Sequence, residues 1–580
     1  MGSLRSHVRA AAWAALAFGP SGALLLPAPA HAAWPDNGRA VCTMTGDQRT
    51  PVMIADGASG AILVWEDRRG TAADIYAQRV SSLGVIDPAW PADGRALCAA
   101  VQDQVEPKIA PDGAGGAFVV WEDYRAGNGE SDIYAQRVSG SGAIAAGWPA
   151  AGVPVCTITG SQGRPTVVTD GAGGVIVAWE DRRGASFDIY AQRLNASGAP
   201  QWLANGVAVS PAAGVQRFPA AVPDASGGMI VAWQDTRSGD ADIYAQRVSS
   251  SGTVQWPAAG VLLCGAVSDQ VGLRIERDGS GGAIVAWEDL RDDNSDVYAQ
   301  RVTAAGAPQW GSHGVAVCDD ASEQYGVAIT SDGAGGAFVS WTDLRIGEED
   351  IYVQRVTGSA SIASGWPNDG LAACPAPGSQ YDAQVVADGA GGVLLSWVDY
   401  RPGAASSDVY AQRLTGTGAI AAGWQPEGLP FCNATGDQVV TAIVPDGTGG
   451  CILAWQDPRS GGLDIYATRV MGDGGNATLD VPMVSTPEFE LYPAAPNPVG
   501  LSPTRLRFRL AGETRVAARI VDVSGRIVAR LMDDTVLGAG EHLLTWDGRD
   551  QDGRPVPTGV YLYMLQAGRE ARSEKLAVLH

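Results

Sequence analysis

Several residue types that usually announce chemistry are scarce in this 580-residue chain. There are five histidines, and three of them, His313, His542 and His580, lie beyond the first 32 residues without recurring in any pattern. No G-x-S-x-G, HExxH or phosphate-loop pattern occurs, so the common hydrolase, zinc-protease and nucleotide-binding signatures are missing. Lysine appears only at Lys108 and Lys575. With 40 basic against 63 acidic residues the net charge is −23, which argues against a nucleic-acid partner, whose phosphates would be repelled. Eight cysteines are present, with no CxxC or His–Cys spacing that would suggest metal. No segment shows a useful helical period, and after residue 32 no apolar run is long enough to span a bilayer.

The first 32 residues read as an export signal. Arg5, His7 and Arg9 form a basic end, residues 10–26 an apolar run, and Ala30-His31-Ala32 an A-x-A cleavage site. Gly19-Pro20, Pro27 and Pro29 interrupt the stretch in a way that disfavours a membrane anchor. The expected location is secreted or cell-surface, without a transmembrane segment once the signal is removed.

What is abundant is repetition. Asp170-Gly-Ala-Gly-Gly-Val-Ile-Val-Ala-Trp-Glu-Asp-Arg-Arg183, followed by Asp188-Ile-Tyr-Ala-Gln-Arg193, is one of eight copies. The tryptophan returns at 65, 121, 179, 233, 287, 341, 397 and 455, every 54 to 58 residues. A period of that size marks a solenoid, propeller or array. Each copy divides into four short segments of β-branched and aromatic residues bounded by Gly, Pro, Asp or Ser, exemplified by Gln104–Asp112, Ala117–Asp123, Asp132–Val138 and Trp148–Cys156. Asp-Gly-x-Gly-Gly supplies the positive-φ positions of a tight hairpin. Four antiparallel strands repeated eight times predict an all-β, eight-bladed propeller over residues 33–470. A fourth segment, Trp34–Cys42, precedes the first copy, and the eighth copy ends at Asp464–Val470 without one. The N-terminal strand is therefore expected to close the last blade and leave no strand edge exposed.

Symmetry also sorts the polar residues. Asp67, Asp123, Asp181, Asp235, Asp289, Asp343, Asp399 and Asp457 each precede an Arg by two residues, and a residue repeated eight times suits a scaffold ion pair better than a catalyst. The Arg ending each third strand, such as Arg79, is expected to pair with the Asp of the first hairpin, here Asp56. Seven cysteines, Cys42, Cys98, Cys156, Cys264, Cys318, Cys374 and Cys432, hold one repeat position, with Ser210 in the eighth. Equivalent positions around a ring lie too far apart to bridge, so isolated buried thiols are expected, Cys451 included.

One repeated set is a candidate ligand site. Every copy opens with a glutamine: Gln48, Gln104, Gln162, Gln216, Gln270, Gln324, Gln380 and Gln438. Five follow an acid: Asp47, Asp103, Asp269, Glu323 and Asp437. With the first strand innermost these would ring one mouth of a central channel, either bonding the backbone of neighbouring blades or holding a cation or polar ligand. No metal site, catalytic residue or other cofactor is read from the sequence. An enzyme would be sought where the copies depart from one another, at Thr342, Val398 and Pro458.

Residues 471–489 read as a linker, and 490–580 carry an unrepeated strand pattern. Its Asp522-Val-Ser-Gly-Arg526, Trp546-Asp-Gly-Arg-Asp550 and Gly559-Val-Tyr561 segments resemble the FlgD-type immunoglobulin-like domain and the related C-terminal sorting domains of bacterial type IX secretion. Asp547, Asp550 and Asp552 lack the twelfth-position Glu of a calcium loop and read as a hairpin turn. The resemblance implies an Ig-like β-sandwich, surface sorting or attachment, and contact with outer-membrane secretion machinery through 490–580. The propeller repeat likewise resembles those of large secreted bacterial proteins. The leading expectation is a monomeric, non-enzymatic binding or adhesion protein for an extracellular polysaccharide, protein or small ligand. The alternative is a glycosidase or lyase using carboxylates on one propeller face.

Overall fold

The computed structural model describes residues 34–580 except 293, 402–405, 476–488 and, towards the C-terminus, 492–493, 495–496, 498, 500–502, 511–513, 524–525, 539, 568–569 and 580. The chain divides into two compact units, Met1–Leu479 and Asp480–His580. The expected signal peptide lies outside the described residues.

The first unit is a succession of eight four-stranded antiparallel sheets. Sheet 1 comprises Gln48–Ala55, Ala61–Asp67, Asp74–Val80 and Arg95–Cys98 in spatial as well as chain order. Sheets 2 to 7 repeat this arrangement, starting at Gln104, Gln162, Gln216, Gln270, Gln324 and Ser379. Sheet 8 takes Val439–Pro445, Cys451–Asp457 and Asp464–Val470, and its fourth strand is Arg39–Cys42 from the other end of the chain, with Arg39 opposite Ala467 and Ala40 opposite Tyr466.

Second strands such as Val175–Asp181 are buried along their whole length, which suits their unbroken apolar run. Between sheets, hydrophobic clusters such as Val222, Ile230, Trp256, Leu273, Val285 and Trp287 join one sheet to the next. The cluster of Trp34, Met53, Trp65, Ile452 and Ile465 joins sheet 8 to sheet 1.

Two expectations need correction. The fourth strands are short: Val153–Cys156 pairs, but Trp148 lies outside the strand, and in sheets 3 and 6 only Val207–Ala208 and Leu371–Ala372 pair. Each sheet is thus open, and its outer edge stays unpaired over two to four residues instead of being abolished. Short edges give little template for pairing with another chain. The displaced tryptophan acts on the neighbouring sheet instead, since Trp148 Nε1 donates to Ala196 O at 3.0 Å.

The second unit pairs Phe489–Leu491, Thr504–Leu510 and Gly540–Trp546 in one sheet. Thr514–Asp522, Ile527–Leu537, Gly559–Ala567 and Glu570–Val578 form the other. Leu506, Phe508, Ile520, Trp546 and Tyr563 fill the core between them. Asp550 Oδ1 accepts the Asp552 and Arg554 N–H groups, so the three acids belong to a turn.

Candidate functional site

The repeated aspartates are structural nodes. Asp181 is fully buried; its Oδ1 accepts the Arg183 backbone N–H and Nε at 2.9 and 2.8 Å, and its Oδ2 accepts Arg183 Nη2 at 2.6 Å and Trp179 Nε1 at 2.8 Å. The guanidinium lies 3.6 Å from the Tyr190 ring centroid, and its Nη2 also donates to Asn205 O and Cys156 Sγ. All eight Asp-x-Arg pairs form. So do the eight pairs between third-strand Arg and first-hairpin Asp, with Arg79 Nη2 2.8 Å from Asp56 Oδ2. All eight cysteines are buried and unbridged, and burial pushes the Cys156 thiol up to about 12.

The glutamine ring is tied into the scaffold through its Nε2 and backbone N–H groups. All eight side chains are wholly buried. Gln48 Nε2 donates to Met44 O and Gly46 O in the loop just before it, at 3.2 and 3.1 Å, and Gln104, Gln162, Gln270, Gln324, Gln380 and Gln438 are held alike. Gln216 Nε2 reaches Ala212 O, and its Oε1 accepts the Ile189 N–H. The backbone N–H of each glutamine crosses to the previous sheet: Gln104 to Ala73 O, Gln270 to Ala241 O, and Gln48 to Leu463 O of sheet 8. The acids accept from the same residues. Asp103 Oδ1 takes the Ala73 N–H at 2.8 Å, Asp269 that of Ala241, Glu323 that of Ser295, Asp437 that of Ser407 and Asp47 that of Leu463. Each acid–glutamine pair therefore clamps one residue of the preceding sheet from both sides. The Nε2 groups are committed to the scaffold, whereas the Oε1 atoms of Gln48, Gln104, Gln162, Gln270, Gln324, Gln380 and Gln438 are buried without a hydrogen-bond partner.

The departing copies are also explained by the scaffold. Each first strand is irregular near its start, and in sheets 1 to 7 the residue two after the glutamine has left-handed φ, as in Glu106 (54°), Arg164 (48°) and Phe218 (57°). The residue after the second-strand tryptophan in the preceding sheet receives that N–H: Glu66 for Glu106, Glu122 for Arg164, Glu180 for Phe218, Gln456 for Thr50. Thr342 and Val398 occupy this position and are buried, and Pro458 packs beside Gly436. They do not converge on a site.

The asymmetry lies instead at the first-strand positions next to each glutamine. In sheets 3 and 4 these carry Arg164, Arg217 and Phe218, with Arg182 and Phe187 on the adjoining loop. Glu180, 2% exposed, binds Arg217 Nε at 3.0 Å through one oxygen, and its other oxygen accepts the Phe218 N–H at 2.7 Å and lies 3.5 Å from Arg164 Nε. The Arg164 guanidinium lies 4.5 Å from the Phe218 ring centroid and that of Arg217 4.7 Å from Phe187.

In sheets 6 to 8 the same level carries a tyrosyl–carboxylate group. Tyr325 Oη donates to Glu349, and Tyr400 Oη to Asp437 at 2.7 Å. Burial and the Glu349 charge push the Tyr325 phenol up, while burial and then Glu349 raise the Asp382 carboxyl. Such a phenol stays protonated at neutral pH and serves as a hydrogen-bond donor. Among the described residues, no group of three or more His, Cys, Asp or Glu side chains is arranged to hold a metal ion.

The model of the FlgD Ig-like domain matches residues 500–570. No curated protein matches the chain significantly. Solved structures with similarity include PorZ, a surface component of the type IX secretion system of Porphyromonas gingivalis, at 13% identity over 93% of this chain and 82% of that one (TM-score 0.27). A polysaccharide lyase of the ulvan lyase family is 9% identical over 77% and 96% (TM-score 0.40). The propeller domain of the trilobed protease from Pyrococcus furiosus is 8% identical over 63% and 94% (TM-score 0.35). The chain therefore combines propeller-like repeated four-stranded sheets with a C-terminal FlgD Ig-like domain.

Proposed function

We propose that this is an exported, surface-held binding protein in which the eight sheets form a closed eight-bladed propeller. The signal-like leader supports export, and the Ig-like domain suits sorting or attachment. Closure is supported by the clamps running from each sheet to the next, the last being Gln48 to Leu463.

The observation that carries binding over catalysis is the division of polar groups. The Asp-x-Arg and Arg–hairpin Asp pairs repeated eight times are engaged in ion pairs inside the scaffold, and the glutamine Nε2 and N–H groups in its clamps. The unrepeated ones on the first strands form stacked guanidinium–phenyl and phenol–carboxylate groups, which recognise ligands without requiring proton transfer. Purified protein incubated with a panel of extracellular polysaccharides should retain one of them without cleaving it. Release of reducing sugar or unsaturated ends would overturn this reading.

The enzymatic alternative rests on Tyr325, Glu349 and Asp382, which bring a phenol, its carboxylate partner and a second carboxyl, that of Asp382, raised by burial, to one sector. If it holds, Glu349→Gln should abolish turnover while leaving the fold intact.

A further inference from the structure

The Arg–Phe group of sheets 3 and 4 is assembled once in eight copies. At the two positions after each glutamine, other sheets carry Arg49 and Thr50, Val105 and Glu106, Val271 and Gly272, Tyr325 and Gly326, Tyr381 and Asp382, or Val439 and Val440. Arg49 is neutralised by Asp47 at 2.5 Å. Sheets 3 and 4 instead bring Arg164 and Arg217 to a single buried carboxylate, that of Glu180, and a third guanidinium, Arg182, to the Phe187 ring that Arg217 also meets. Arg182 has no ion-pair partner among the described residues and lies 5.6 Å from the Phe187 ring centroid. No terminal guanidinium nitrogen of the three donates a hydrogen bond among the described residues. Side chains of Arg164 and Arg217 are 52% and 37% exposed, and Phe218 is 38% exposed.

Glu180 thus anchors Arg164 and Arg217 through their Nε atoms, and the Phe218 and Phe187 rings lie against them, which lowers the side-chain entropy lost on binding. A planar guanidinium fork matches a carboxylate, and an exposed phenyl face beside it matches the C–H face of a sugar ring.

We propose that this group reads a carboxylated sugar, a hexuronate residue of an anionic polysaccharide, with Arg164, Arg182 and Arg217 on the carboxylate and Phe218 against the ring. This rests on the binding reading above and names its ligand class. The surroundings favour sugar over an acidic peptide. The adjoining sheets 4 to 6 present Asp240, Asp269, Asp292 and Glu323 around a hollow of about 360 Å³. Any polyanion must keep its other charges clear of that sector; a hexuronate ring offers a carboxylate and a C–H face together to the guanidiniums and Phe218, which an acidic side chain does not.

The test is calorimetric titration of the full chain with hexameric oligogalacturonate, its methyl ester, a neutral glucan oligomer and oligoglutamate. Oligogalacturonate should bind, and the ester about tenfold or more weaker, the loss of one charge-assisted contact. Binding should weaken with added salt. Arg164→Ala or Arg217→Ala exposes the fold to an unpaired Glu180, so the decisive variant is Arg182→Ala. It should keep the wild-type melting temperature and bind oligogalacturonate several-fold more weakly. Equal binding of acid and ester, unchanged affinity in Arg182→Ala, no binding of oligogalacturonate, or preference for oligoglutamate would each overturn the assignment. Retention of the neutral glucan alone would leave the binding reading standing without this site. Cleavage of oligogalacturonate would overturn the non-enzymatic reading while leaving the recognition group in place.

Discussion

At the residue scale, the scaffold depends on buried charge that is fully paired. Asp181→Asn would leave Arg183 facing a neutral amide while keeping the shape. Breaking such a pair should cost about 3–5 kcal/mol, read as a lowered urea midpoint. Directly across the ladder from each of these aspartates stands a second one, as Asp188 opposes Asp181 and Asp408 opposes Asp399. Burial first, and then the facing Asp, raise Asp74, Asp132 and Asp464 to about 6 and Asp408 to about 7. In Asp296 and Asp350, also at about 6, other nearby acids follow burial. A carboxyl whose folded pKa lies above its unfolded value of about 3.9 stabilises the fold fully below that value. Its contribution is lost as pH rises through the folded pKa. The melting temperature should therefore increase on acidification from pH 8 to about 5, and a flat profile there would contradict the facing-pair account. The thiols give a simpler check. Denatured, unreduced protein should titrate eight free thiols, because every cysteine is buried and unbridged.

At the element scale, each sheet is locked by close backbone approach at one glycine. Gly152 has φ +80°, and a Cβ there would sit 2.6 Å from the Trp121 ring, with the equivalent glycine on the equivalent tryptophan in every other sheet. Gly152→Ala combines a left-handed backbone with a clash against a fully buried indole, so it should destabilise by more than 1 kcal/mol. Gly113→Ala, with positive φ but open space, should cost less, and equal losses in thermal melts would show that backbone strain alone decides.

For the whole molecule, the joint between the chain's two ends carries the sharpest test. Arg39–Cys42 covers the edge of Asp464–Val470, Gly38 lies on Trp455, and Arg469 Nη1 reaches Ser82 O of sheet 1. Removing residues 34–43 exposes that edge and should produce aggregation or a large fall in melting temperature. Truncation after Val470 should leave the eight sheets folded. A harmless first deletion together with an unfolding second one would mean an open array that depends on its C-terminal domain.

The repeat was legible because its signals are local: a period, a turn pentapeptide and alternating apolar residues determine four strands per copy, and identical copies determine identical ion pairs. Symmetry alone was enough to assign the Asp-x-Arg pairs and the isolated thiols to the scaffold. The glutamines were legible only in part. Their spacing marks them as important, but only the tertiary structure shows the amide turned back into its own loop while the backbone N–H reaches the preceding sheet. Nor could the sequence place Arg164 beside Arg217 and Phe218, because they stand on neighbouring sheets 53 or more residues apart. Glu180, which joins them, looks like one more repeated residue. Local propensity determines elements, whereas a site made of single departures from symmetry exists only once packing brings adjacent copies together.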